Sequence, residues 1–154
     1  EQLLQRMKES GQMRMRIALG NHFTGPGSIA RSYRTARTTM IVGKQRMPEQ
    51  RSYFYQDLVL PVLLDSLRGG WQANELARPL ARLKSMDNNG LLRRTLVAWF
   101  THNVQPSATA RALFIHRNTL EYRLNRISEL TGLNLSQFDD RLLLYVALQL
   151  DEQS

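Results

Sequence analysis

Three residues, Phe114, Ile115 and His116, separate two stretches of helical patterning, and so short a connection limits what the chain can fold into. Two helices joined this tightly must cross steeply, which is the helix-turn-helix arrangement. The apolar positions suit it. Ala110 is small where the helices would approach closest, and Leu113 and Ile115 fill the angle between them. Leu120, Leu124 and Ile127 follow at i, i+4 and i+7 and form the inner stripe of a second helix over Arg117–Thr131. Ser107, just after Pro106, is placed to cap the first helix, over residues 107–114, and Gly132 is a good C′ residue for the second. Phe114 departs from the common pattern, because it stands in the turn where Gly is usual.

The outer face of the second helix follows from about 100° of rotation per residue. With Leu120 as origin, Leu124 and Ile127 lie within about 40° of it. Asn118, Tyr122 and Asn125 fall near the opposite side, with Thr119 and Arg126 beside them. Arg117 is in the first turn, and Arg123 adds another cation to the helix. These are the side chains of duplex readout. Arg bonds guanine O6 and N7 in bidentate fashion, Asn does the same with adenine, and Thr contacts a base or a phosphate. Tyr122 suits a phosphate hydrogen bond or a thymine methyl. Ser107 and Thr109, with nearby backbone N–H groups, suit a phosphate oxygen. His116 is either a helix-start residue or a phosphate contact. Glu121 is awkward beside DNA; it would accept from a cytosine N4 or repel the wrong approach. The expected DNA-binding set is therefore Ser107, Thr109, His116, Arg117, Asn118, Thr119, Tyr122, Arg123, Asn125 and Arg126.

Around this motif the chain divides in two. Residues 13–19 alternate polar and apolar and read as a strand, after a possible helix end carrying Leu3, Leu4 and Met7. Residues 20–27 hold three glycines and a proline and read as a loop. Ser28 caps a predicted helix through about Val42, with Ile29, Tyr33, Ala36 and Met40 at helical spacing. Residues 51–55 read as a short strand, and residues 57–67 and 74–84 as helices parted by Gly69–Gly70. So few strands cannot make a complete sheet. The polar stretch 85–90 is the best boundary, and everything beyond it reads as helix. Residues 91–103 place Leu92, Leu96 and Trp99–Phe100 on one side. The last helix, residues 139–150, starts on Asp139 or Asp140, where an acid favours a helix N-terminus. Its run LLLYVALQL is apolar nearly all round, so it is buried or forms a subunit contact. Trp71 and Trp99 are expected in a core or an interface. The fold class is mostly α within an α+β frame: a partial α+β domain over residues 1–86, then an all-α helix-turn-helix domain over residues 87–154.

The stretch HRNTLEYRLNRISELTG (residues 116–132), with ATARALF before it and FDDRLLLYVALQL after it, resembles the C-terminal helix-turn-helix of the PucR-type regulators. The pattern HRNTL-x-YRL-x-RI-x-x-LTG is long and specific. Residues 16–36 (RIALGNHFTGPGSIARSYRTA) are similar to the end of that family's middle, GGDEF-like domain, so the resemblance spans most of the chain. It implies a cytoplasmic bacterial transcription regulator. In the branch most like this chain it implies an activator of sugar-diacid catabolism (glucarate, galactarate, glycerate). It also implies double-stranded DNA as partner and a small-molecule diacid effector held by a domain N-terminal to this chain. The chain begins at Glu1 rather than Met, and it is read as an internal or C-terminal part of a longer protein.

Composition bears on the alternatives. The 154 residues carry 21 Lys+Arg against 13 Asp+Glu, a formal charge of +8 that attracts polyanions. No cysteine is present, which removes disulfides, thiolate zinc sites and a Cys nucleophile. No apolar run approaches the ~20 residues of a membrane span. His22, His102 and His116 lack metal-ligand spacing, so no metal and no cofactor is expected. Gly20 and Gly25 have phosphate-loop spacing, but Pro26 stands where that loop needs Lys. No GGDEF string and no Mg²⁺-holding pair of acids occurs, so no enzyme activity is expected. Arg31, Arg34 and Arg37 make a basic ridge that reads as a solvated face. One recognition helix reads only about 4–6 base pairs, so a homodimer on two half-sites is expected. The rival is a helical module that docks a protein partner through its apolar last helix.

Overall fold

The computed structural model describes Gln2 and residues 16–151. The expected helix end near Leu3, Leu4 and Met7, and residues 13–15 of the expected first strand, lie outside the described residues. Two strands and seven α-helices are present among those described. They form two compact units, residues 1–66 and 67–154.

In the first unit, β1 (Ile17–Leu19) and β2 (Ser52–Phe54) pair in parallel, with Ile17 opposite Ser52 and Leu19 opposite Phe54. Parallel neighbours need a crossover, and α1 (Ser28–Arg46) supplies it. A 3₁₀ turn (Tyr55–Asp57) and α2 (Val59–Asp65) follow β2. Val42, Tyr53, Leu58 and Val62 are the buried core. Gly43 lies over the Tyr53 ring so closely that a Cβ would stand 2.4 Å from it. The Tyr53 hydroxyl is 2.9 Å from the carbonyl oxygens of both Met47 and Gln50 and shares its one proton between them.

Two expectations change here. Gly27, not Ser28, is the N-cap of α1, and the helix runs on to Arg46. Gly27 has φ 74, and the turn N–H of Ser28 bonds back to Gly25, so the chain enters the helix through a left-handed residue rather than a hydroxyl cap. The buried face also differs: α1 buries Thr39, Val42 and Gly43, while Ile29 is 86% and Tyr33 67% exposed. The two strands offer α1 only a short apolar strip, and its C-terminal half takes all of it.

The second unit is helical: α3 (Trp71–Met86), α4 (Leu91–Thr101), α5 (Pro106–Ala112), α6 (Arg117–Thr131) and α7 (Phe138–Asp151). Leu80, Leu83, Leu96, Trp99, Ile127, Leu144, Ala147 and Leu148 make one core. The division between units therefore falls at residue 66/67 rather than at 86/87. The reason is that α3 sends Leu80 and Leu83 into the helical core. The polar stretch after α3 is a cap rather than a linker: the Asp87 carboxylate accepts from the N–H groups of Leu92 and Arg93 at the start of α4. The apolar run of α7 is buried inside the unit at Leu144, Ala147, Leu148 and Leu150, while Leu142 stays 47% exposed. Trp99 is core, while Trp71, which opens α3 directly after the Gly69–Gly70 break, is 72% exposed and so outside the core, the first of the two places expected for it.

Four side-chain contacts tie the helices together. Asp151 at the end of α7 accepts from Lys84 on α3 at 2.5 Å and from Arg93 on α4 at 3.0 Å. Burial pushes the Asp151 carboxyl up, but hydrogen bonds from Lys84 and Arg93 outweigh it and hold the group below the ordinary carboxylate value of 3.8. Arg141 stacks on Trp99 with its guanidinium carbon 5.3 Å from the ring centre, and Phe100 meets Tyr145 edge-on at 5.4 Å.

Candidate nucleic-acid interface

The site is built on α5, α6 and the four residues between them. Pro106 occupies the first turn of α5, where its missing N–H costs nothing, and Gln105 holds the cap position without a side-chain bond. Ser107 is therefore inside the helix rather than its cap, and it is exposed. The helix ends at Ala112, two residues before the expected end at Phe114. The N–H of Ile115 donates to the Ala110 carbonyl (3.0 Å) and that of Phe114 to Arg111 (3.2 Å). Those two bonds define a Schellman stop, with Phe114 in the left-handed conformation at φ 56. For a residue with a Cβ that conformation costs about 1–2 kcal/mol.

The chain then turns into α6 through His116, an extended N-cap whose Nδ1 accepts from the Asn118 N–H at 3.0 Å. The helix closes on Gly132 at φ 73, whose N–H bonds to Ser128. Between these caps the two faces separate cleanly. Leu120 (1% exposed) and Ile127 (0%) lie in the interior, with Leu124 half-buried beside them. Ala110 is buried at the approach to α5, and Leu113 and Ile115 are half-buried in the angle.

On the other side Arg117, Asn118, Thr119, Tyr122, Asn125 and Arg126 are exposed, Tyr122 by 72%. One face of one helix thus displays two guanidiniums, two carboxamides, a hydroxyl and a phenol on a rigid support. Glu121 is exposed among them. Arg126 shares its charge with Glu129, 3.0 Å away.

Two members of the expected set point elsewhere. Thr109 is 0% exposed, and its hydroxyl donates to the Gln105 carbonyl at 2.7 Å, so it packs the helix pair and has no side-chain group for a phosphate. Arg123 is half-buried and reaches back to the Thr95 hydroxyl of α4 at 3.4 Å. Its Cβ stands about 60° from Leu120, on the inner side of the helix near Ile127, which is the angular signal that marks it as a flank residue. His116 serves as the helix-start residue.

Phe114 and Arg111 are what the residue reading left out. Phe114 is 95% exposed, the most exposed of the large apolar side chains. Arg111 is exposed on α5, one turn before it. By contrast Arg93 and Arg141 are engaged within the fold, while Arg94, Arg111 and Arg117 on α4, α5 and α6 are exposed beside the paired Arg126, as are Arg78, Arg82 and Lys84 on α3. Among the described residues no group of His, Asp and Glu could hold a metal ion, and no helix is long and apolar enough to cross a membrane.

Known proteins share this pattern. The Carbohydrate diacid regulator of Escherichia coli (strain K12) is 84% identical over 153 residues, which is 99% of this chain and 40% of that protein. The Proline-responsive transcriptional activator PutR of Bacillus subtilis (strain 168) is 33% identical over 87% of this chain and 34% of its own length. The Transcriptional activator PmfR of Paenarthrobacter nicotinovorans is 41% identical over 46% of this chain and 15% of its own. The chain thus spans well under half the length of these relatives. The family model of the PucR C-terminal helix-turn-helix domain matches residues 92–150, from α4 almost to the end of α7. With α5 and α6 crossing at a Schellman stop within that span, this chain carries in residues 92–150 a PucR C-terminal helix-turn-helix domain.

Proposed function

We propose that this chain is the DNA-reading part of a transcription regulator and that α6 enters the major groove of double-stranded DNA. What carries the reading is the division of α6: Leu120 and Ile127 anchor it in the core while Arg117, Asn118, Tyr122 and Asn125 face outward. In this arrangement Arg117 and Asn118, in the first turn, read base edges, because bidentate donors at a helix start reach farthest into a groove. Tyr122 and Asn125 extend the contact one turn on. Ser107, Thr119 and Arg126 position the domain on phosphates, which carry affinity rather than sequence. A homodimer on two half-sites about one helical turn apart would supply the specificity that one helix lacks.

We propose a narrower reading as well: control of sugar-diacid catabolism genes, as an activator, in the bacterial cytoplasm; the name of the 84%-identical relative, a carbohydrate diacid regulator, supports the diacid part of it. The names of the PutR and PmfR relatives favour activation. The diacid effector would bind outside this chain. We also keep as a proposal that the first unit derives from a GGDEF-like domain, supported by the likeness of residues 16–36; α3, expected in that domain over residues 1–86, packs in the helical core instead. A regulator, not an enzyme, is the reading that fits.

Selection of bound duplexes from a random pool tests this, followed by titration of the selected duplex at two salt concentrations. A palindromic or repeated motif, with affinity falling steeply as salt rises, is the expected result. Failure to enrich any sequence, with no binding at low salt, would overturn it.

A further inference from the structure

Two turns in the helical unit hold a non-glycine residue at positive φ beside an apolar side chain, and only one recovers the cost. After α4, Asn103 and Val104 have φ 53 and 65. Val104 is half-buried against the helical core, so its strained backbone places an apolar side chain where it packs. Phe114 occupies the C′ position at φ 56, where Gly fits without strain. Its ring makes no such return, since it is 95% exposed. Among the described residues nothing favours Phe there over Gly.

The ring's surroundings favour a particular partner. Phe114 precedes Arg117 by three residues, so their backbones lie within about 11 Å. It is flanked by the exposed cations Arg111 and Arg117 and followed by the exposed amide of Asn118. An apolar group set among cations at the leading end of a groove-reading helix matches one feature of a duplex edge: the C5-methyl of thymine, the apolar mark in the major groove. We propose that Phe114 is a specificity-determining residue that covers a thymine methyl at the edge of the half-site read by α6. This rests on the DNA-reading role argued above.

The test uses the whole 154-residue chain with Phe114→Gly and, as a second variant that tolerates positive φ, Phe114→Asn. Each is taken through the same random-duplex selection as the unchanged chain, and each is melted. Thermal midpoints at or above that of the unchanged chain are expected, together with loss of preference for one thymine per half-site. Replacing that thymine by deoxyuridine, which lacks only the methyl, should weaken the unchanged chain about 4-fold, the value of one buried methyl group. It should leave both variants unaffected. If the unchanged chain enriches no DNA, the DNA-reading role fails and this inference with it. If the unchanged chain binds and both variants select the same motif with the same deoxyuridine response, only the inference is overturned, as it would be if Phe114 served a protein partner. A lower midpoint for both variants would also overturn it, by showing that the ring supports the fold.

Discussion

The two units hold their cores in different ways. In the helical unit α3, α4, α6 and α7 close around eight buried residues, while Trp71, Met86, Leu91 and Leu142 stay exposed. In the first unit, among the described residues, a two-stranded sheet and two helices enclose Val42, Tyr53, Leu58 and Val62. There α1 turns Thr39, Val42 and Gly43 inward and leaves Ile29 and Tyr33 outside. A helix buries the face that a neighbouring layer can cover, which need not be its most apolar face. The second unit can carry an exposed reading face on α6 because the opposite face is so thoroughly anchored.

That contrast yields predictions of decreasing size. Ile127→Ala removes a fully buried side chain from the larger core and should cost about 2–5 kcal/mol of the helical unit's stability. Urea titration followed by Trp99 fluorescence would read this, and an unchanged midpoint would mean the larger core does not depend on α6. Gly43→Ala is the counterpart in the first unit. A Cβ 2.4 Å from the Tyr53 ring forces overpacking worth about 1–3 kcal/mol. Both tryptophans lie in the second unit, so circular dichroism should register the loss while tryptophan fluorescence does not. A matching shift in the fluorescence transition would break the picture of two separately cored units.

Arg117→Ala leaves both cores intact and should weaken binding to a selected duplex by about 1–3 kcal/mol, with blurred preference at one position. Equal weakening on every sequence would reassign it to phosphate contact. Smallest is Asp151→Asn. The Asp151 carboxyl is held below its ordinary value, so its contribution is present at neutral pH and is lost as pH falls through its lowered folded-state value. Lys84 is half exposed, and solvent screening limits the pair, so the variant should lose about 1 kcal/mol or less at pH 7. Wild type and variant should converge below the carboxylate range. A difference that persists in strong acid would show that the carboxamide disturbs packing rather than charge.

Much of the reading face was legible because it follows from helical rotation alone. Leu120 and Ile127 mark the inside, and Asn118, Tyr122 and Asn125 then fall outside whatever the rest of the chain does. The caps of α6 were legible for the same reason: His116 and Gly132 act on backbone groups within a few residues. Thr109 and Arg123 were misplaced because their fates depend on distant partners. Thr109 is fully buried although its hydroxyl bonds only to Gln105 in its own turn, and the Thr95 hydroxyl on α4 draws Arg123 inward. Neither burial is set by residues within one helical turn. The basic count likewise overstated the interface, since Arg93 and Arg141 are engaged by Asp151 and Trp99.

The residues alone determined the helix pair, its tight turn and the polarity of α6, because hydrogen bonding and side-chain rotation within one helix are short-range. Only the tertiary structure decided that α3 belongs with the helical unit, that α1 shows Ile29 and Tyr33 to solvent, and that Phe114 stands outside every core. Burial is a property of neighbours far along the chain, and a face becomes interior only when another element arrives to cover it.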